Sequence, residues 1–484
     1  MKTIEYLDAS HRAWFEASIA WSDGYWSSDA QLLLAPNDRE TRSKLGTRPV
    51  PHIIRDSVWY AAGLLLRRQE TDVARALSTL EAVLHYQFDE PGVVYHGTFY
   101  RYVGEPHPPA QNAVIWQDYD PNWREFIGSV FIILLREFDT LIPPALQERM
   151  RRAILLAAEG AFARKVAAEY TNISLMSAFL LDYAGIAFAN ETWRAYALSQ
   201  AEEIHRLFSR FKTFNEYNSP TYYGVDFYAL ALWREYGSTP LYREHGASME
   251  AELWRDLAQF YHAGMRNMCG PYDRSYGMDM TAYLALLGLW IGAVTLPGSA
   301  PLPDPSQPFE HAADFFFMPL VALVGSRPPQ DVLPHLSQFQ GERLLERTIE
   351  PQRTATAWLS SSLMLGAEAD HLNSWRTNQF HPATAHWLTP DGAVGWMRIR
   401  SESLIQGVAQ PRQIRLYSHS PAACVIDLYA PQAAAEQLHA EQWRLPGVTI
   451  HLAGGETSFA VSPAGELLRV QMELREPLTL TFET

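Results

Sequence analysis

The feature that most limits the fold is a change of period along the chain. From residue 53 to about residue 324, apolar residues recur every three or four positions, and after Pro351 they alternate or gather into short β-rich runs. Clear helical faces are Val73, Ala76, Leu77, Leu80 and Leu84, and then Phe126, Ile127, Val130, Phe131, Leu134 and Phe138. Further helices are expected near 146–163, 173–188, 193–211, 225–235, 249–268 and 280–294. That makes about ten helices, joined by loops carrying Pro, Gly and Asn. Repeated antiparallel hairpins in such number close into an (α/α) toroid, because closure buries both faces of the inner helices.

The Pro-rich stretch 297–308 interrupts the helical pattern, which resumes over 311–324 and breaks again at Arg327-Pro328-Pro329. Strands are expected at 354–365, 392–400, 413–419, 422–429, 448–452, 458–461, 467–473 and 478–482, with turns at Pro390-Asp391-Gly392 and Ala453-Gly454-Gly455. The expected organisation is an α/α toroid at 1–330 followed by an antiparallel β-sandwich at 331–484.

Charge narrows the partners. A formal net charge of −15 lacks the basic footprint that nucleic acid or an anionic membrane surface requires. With 484 residues, 47% of them hydrophobic, the chain can bury a large core. Aromatic residues make up 12% of it, and the flat faces left over from core filling are what sugar rings stack on. Cys269 and Cys424 lie far apart, so neither a disulfide framework nor a Cys-rich zinc site is expected, and no metal or cofactor is implied. The opening MKTIEYLDASHRAWF has acidic residues where an export signal needs an apolar core, and the apolar run from Leu284 is too short to span a bilayer. The expectation is a cytoplasmic protein with no membrane partner.

Five stretches carry chemistry. Residues 214–228, FNEYNSPTYYGVDFY, crowd Asn215, Glu216, Asn218, Tyr222, Tyr223 and Asp226 around Pro220 and Gly224 at the mouth of a helix. So many polar side chains need partners if buried, and they converge easily on a ligand. In 118–128, Pro121 and Asn122 start a helix whose first turn bears Trp123, Arg124 and Glu125. In 170–174, Asn172 begins another, where it could serve simply as an N-cap. The loop 270–280 bears Tyr272, Asp273, Arg274, Tyr276 and Asp279, and its Arg could clamp a carboxylate or pair with Asp273. Last, 376–387 offers His381 and His386.

In their order along the chain, on a helical toroid followed by a sandwich, these stretches resemble the polysaccharide lyases of the chondroitin AC, hyaluronate and alginate lyase superfamily. That family's Asn-Trp-Trp-x-x-Glu-Ile-Gly motif is similar to Asn122-Trp123-Arg124-Glu125-Phe126-Ile127-Gly128, which is one residue shorter and has Arg124 for the second Trp. Its catalytic Asn resembles Asn172, its Tyr-Gly pair Tyr223-Gly224, and its catalytic Arg resembles Arg274. The family also has a His shortly before the Tyr-Gly pair, whereas this chain has no His between His205 and His245.

The resemblance implies β-elimination on an acidic oligosaccharide or polysaccharide. Asn172 and an Arg would neutralise the uronate carboxylate, which makes the C5 proton removable. Tyr223, helped by Arg274 and adjoined by Tyr222, would take that proton and protonate O4. Asn122, Trp123, Arg124, Glu216, Asn218, Asp226, Tyr272, Asp273 and His381 would hold the sugar. A glycoside hydrolase using two of Glu216, Asp226, Asp273 and Asp279 is the competing class. A non-catalytic carbohydrate-binding protein is the third.

Overall fold

The computed structural model describes residues 2–369, 379–400, 405–455 and 459–484. It has a helical N-terminal region and a C-terminal region of antiparallel sheets. Two compact units divide the chain. The helical unit comprises Met1–Leu207, Gly224–Ala251 and Ala282–Arg327, and the β unit comprises Phe208–Tyr223, Glu252–Thr281 and Pro328–Thr484. Two segments that the sequence places among the helices therefore belong to the β unit, and both are stretches singled out above.

In the helical unit, consecutive helices pack as hairpins: Arg55–Arg67 on Asp72–Leu84, and Trp123–Glu137 on Pro144–Arg164 and Thr171–Ala187. The first helix, Ala9–Asp23, packs on the last, Met318–Val324, so the series meets its own beginning. Helices read at 146–163, 173–188 and 225–235 appear as Pro144–Arg164, Thr171–Ala187 and Tyr223–Tyr236. The one read at 249–268 is instead Pro240–Phe260, followed by the short paired strands Tyr261–His262 and Asn267–Met268. Gly224 sits where an added Cβ would lie 2.5 Å from the Leu286 backbone, so close packing accounts for this glycine without any ligand.

Besides that short strand pair, which falls within Glu252–Thr281, the β unit is built from two antiparallel sheets. Eight strands run in the order Ala460–Ala464, Leu467–Leu474, Ala422–Tyr429, Val394–Ile399, Ala383–Leu388, Leu363–Ala369, Arg353–Leu359 and Arg343–Glu350. Five more run Gln406–Gln410, Gln413–Tyr417, Leu478–Glu483, Val448–Gly454 and Gln442–Leu445. Trp358, Leu365, Trp387 and Met397 from the first sheet share one core with Ile414, Trp443, Ile450 and Phe482 from the second. The single strand expected at 354–365 is a hairpin, because Ser360 turns the chain and its N–H donates to the Leu363 carbonyl at 2.8 Å. Ser458, the expected start of another strand, and Arg376 to Asn378 of the His-bearing stretch lie outside the described residues.

Candidate functional site

Within the β unit, two loops meet over the larger sheet. The loop of residues 267–281 lies against the strand Leu363–Ala369 so closely that a Cβ on Gly366 would stand 1.8 Å from the Gly270 carbonyl oxygen. Asp273 ties this loop down: it accepts from Arg353 Nη2 at 2.9 Å through both oxygens and from the Tyr217 N–H at 2.8 Å. Arg353 Nε also donates to Glu368 at 2.9 Å, and all three side chains are buried. Burial and the charge of Asp273 raise the Glu368 carboxyl, against the pull of Arg353.

Arg274, next in sequence, makes the centre of the site. Its Nη1 donates to Glu216 Oε1 at 2.7 Å, its Nη2 to the Tyr222 hydroxyl at 2.6 Å and its Nε to Gln379 Oε1 at 3.0 Å. The guanidinium carbon lies 3.6 Å from the centre of the Tyr222 ring. Ser219 staples the two loops, its hydroxyl donating to the Arg274 carbonyl at 2.6 Å while accepting the Tyr222 N–H at 3.1 Å. The Tyr222 hydroxyl is also 2.8 Å from that of Tyr276, a residue 37% exposed. Burial raises Tyr222 well above the usual phenol range, and Tyr276 and Glu216 add to this against Arg274.

The other expected residues of this unit bond to neighbouring backbone and side chains. Tyr223 is buried and its hydroxyl accepts the Asn218 N–H at 2.7 Å. Asn218, with a positive φ, donates through Nδ2 to the carbonyls of Cys269 and Pro271 at 2.7 and 2.8 Å. The Tyr272 hydroxyl donates to the Met268 carbonyl, and its backbone pairs with that of His381. Burial and the neighbouring Arg398 hold His381 well below the usual imidazole range, and His386 Nε2 lies 2.7 Å from the Met278 carbonyl.

The remaining expected residues are in the helical unit. Asn122 accepts from Arg164 Nη1 at 2.7 Å and donates to the Tyr170 hydroxyl at 3.1 Å. Trp123 lies beneath Arg55, whose guanidinium also covers Trp59 and Phe126 at 4.4 to 5.3 Å. Arg124, expected on a substrate, is buried and donates to the carbonyls of His96 and Val94 at 2.8 and 2.6 Å, its pKa lowered by burial to about 10. Asn172 is buried inside the helix Thr171–Ala187, whose N-cap position is Tyr170. Asp226 is fully buried in the helix Tyr223–Tyr236.

Glu125 and Asp314 of this unit were not among the expected site residues. Glu125 is fully buried and both its oxygens lack a hydrogen-bond partner among the described residues. Burial pushes it up to about 7, against Arg164 and Arg124. Asp314 also rises to about 7, by burial and against His311 and Arg55. Among the described residues no helix is long and apolar enough to cross a membrane, and no cluster of three His, Cys, Asp or Glu side chains could hold a metal ion.

Residues 12–326 match a family model described as a domain of unknown function (DUF8769), and residues 345–464 match a second, DUF8770. No curated protein matches the chain.

Proposed function

Because the chain belongs to the DUF8769 family, whose description names no activity, we propose its function from the side chains of the β unit. The protein is a carbohydrate-active enzyme that cleaves a uronate-containing glycan by β-elimination, with Tyr222 as the base at C5. One observation carries this reading: a single guanidinium, that of Arg274, donates to the Tyr222 hydroxyl at 2.6 Å and to Glu216 at 2.7 Å. A charge-assisted donor on a phenol oxygen stabilises the phenolate, which is the form able to take a proton from carbon. Glu216 fixes the fork of Arg274 in place.

The carboxylates weighed for hydrolysis in this unit fit that role less well. Glu216 and Asp273 are ion-paired, and Asp279 accepts from Asn267 Nδ2 and from the Thr281 N–H and hydroxyl. Their oxygens are taken up by these neighbouring donors and not left facing a glycosidic oxygen. Since Tyr222 lies above the usual phenol range, its phenolate becomes commoner as pH rises, and the rate climbs about tenfold per pH unit below that pKa. A panel of uronate glycans incubated with the protein is expected to develop the near-ultraviolet absorbance of a C4–C5 alkene. Tyr222→Phe removes the base and is expected to cut that rate by about 10²- to 10⁴-fold, while Tyr223→Phe leaves most of it. New reducing ends without absorbance would overturn the assignment.

A hydrolytic reading has its own support in the helical unit. Asp314 is raised to about 7 and is partly accessible, close to Arg55 with its floor of Trp59, Trp123 and Phe126. A carboxyl that keeps its proton near neutrality suits a general acid. Reducing ends that appear without absorbance and vanish in Asp314→Asn would select this alternative.

A further inference from the structure

An elimination needs a proton donor as well as a base, because the departing O4 would otherwise leave as an alkoxide. We propose that Tyr276 is that donor, and that Tyr222 and Tyr276 form a pair which passes one proton between its members. The proposal rests on the elimination reading above and adds a second catalytic residue to it.

The two hydroxyls are in hydrogen-bond contact, along which a proton can pass. The two hydroxyl oxygens are 2.8 Å apart, and either can donate. Arg274 already donates to the Tyr222 oxygen, so when Tyr222 is ionised its phenolate accepts two hydrogen bonds, one from Arg274 and one from Tyr276. Tyr276 is the more exposed of the two, so its hydroxyl is the one open to an arriving sugar oxygen.

Its loop is held at each successive residue. Asp273 is held by Arg353, the Arg274 carbonyl by Ser219, the Ser275 N–H by the Gln379 carbonyl and the Tyr276 N–H by Thr221 Oγ1. Such anchoring fits a side chain that must be in position before the sugar binds.

The cycle balances without any co-reactant. It begins with Tyr222 as phenolate and Tyr276 as phenol. The C5–H bond breaks and its proton forms the O–H bond of Tyr222. The electron pair left on carbon forms the C4–C5 double bond, the C4–O4 bond breaks, and O4 takes the proton of Tyr276. Tyr222 is then a phenol and Tyr276 a phenolate. One proton crossing the hydrogen bond from Tyr222 to Tyr276 restores the start. Two oxygens this close reach a ring from one side only, so the C5 hydrogen and O4 must share a ring face.

The test separates proton donation from support. Fluoride leaves carbon without needing a proton, whereas a sugar oxygen does not. The full-length wild type, Tyr222→Phe and Tyr276→Phe are assayed by alkene absorbance on two substrates. One is a uronate oligosaccharide from the panel. The other is a methyl hexuronoside with fluorine at C4, on the same ring face as the C5 hydrogen. Tyr276→Phe is expected to lose about 100-fold or more on the oligosaccharide and to eliminate fluoride within a few-fold of wild type. Tyr222→Phe should lose both. Equal losses of Tyr276→Phe on the two substrates, or no loss on the oligosaccharide, would overturn the proton-donor role while leaving the lyase assignment intact. A wild type that eliminates from neither substrate would instead remove the elimination reading itself.

Discussion

Two buried carboxyl groups of the β unit, Glu216 and Asp273, contrast with buried Glu125 of the helical unit. In the β unit, Glu216 and Asp273 are each held by an arginine at hydrogen-bond distance, so their charge is compensated where it sits. In the helical unit, Glu125 is as deeply buried, yet Arg124 spends its donors on backbone carbonyls and the Glu125 oxygens find no partner among the described residues. The first arrangement gives the carboxylate oxygens a charged donor, and in the second burial pushes the carboxyl up to about 7. Proximity to arginine is therefore not enough. A guanidinium that points its N–H groups at a carboxylate pulls it down, yet at Glu368 burial and the neighbouring Asp273 outweigh even a direct bond from Arg353.

The contrast is broken most severely at Arg353. Replacing it with Met leaves Asp273 and Glu368 buried side by side without their cation, and removing one partner from a buried ionic cluster costs about 3–5 kcal/mol. Denaturant titration of Arg353→Met is expected to show a loss of that size at neutral pH. Restoring neutrality with Asp273→Asn and Glu368→Gln in the same chain should return much of it. A loss below 1 kcal/mol would mean that the loop over the sheet is held by backbone contacts and not by this cluster.

Glu125 tests the other half of the comparison, with a smaller effect. Its folded pKa is raised from an ordinary 4.5 to about 7, so the folded state binds the proton more tightly than the unfolded chain does. The stability this contributes is complete below the unfolded pKa of 4.5. It is lost as pH rises through 7, by roughly 3 kcal/mol for a shift of this size. Glu125→Gln cannot ionise. The variant should therefore gain on wild type between pH 4.5 and 8, as followed by thermal midpoints across that range. A difference independent of pH would show that Glu125 is ionised in the folded protein.

These groups also mark how far the sequence could be read. The helical and strand halves follow from apolar spacing, because long amphipathic faces and alternating strands print their period directly. The sequence pattern is weaker where an element is covered on both sides. Every residue of Leu363–Ala369 is buried, with the sandwich core on one face and the loop bearing Gly270 on the other, so no alternation marked it off from the strand before. Likewise every residue from Trp123 to Leu135 is buried, which gave no hint that Arg124 and Glu125 lie inside. In the site, the polar loops were legible as loops and Arg274 stood out. Its partner was not legible, because Tyr222 and Tyr223 are adjacent, and only the turn held by Ser219 decides which hydroxyl meets Arg274. Tyr276 lay within a chosen stretch, but its pairing spans 54 residues and no local spacing encodes it.

The smallest effect is the sharpest test of the β-unit arrangement. Glu216 contributes to the raised pKa of Tyr222 while Arg274 opposes it, so the carboxylate that orients the guanidinium also partly cancels its field. Glu216→Gln keeps a hydrogen-bond acceptor beside Arg274 and removes the negative charge. The Tyr222 pKa must then fall, since one upward cause is gone and the guanidinium acts undiluted. The rising limb of kcat/KM against pH should move to lower pH, even if the plateau drops because Arg274 is held less firmly. A variant that merely loosened the loop would lower the plateau and leave the limb where it was. A stationary limb on a uronate substrate would separate Glu216 from the ionisation of Tyr222. Movement to higher pH would mean that Arg274 had swung off the phenol, leaving burial and Tyr276 unopposed.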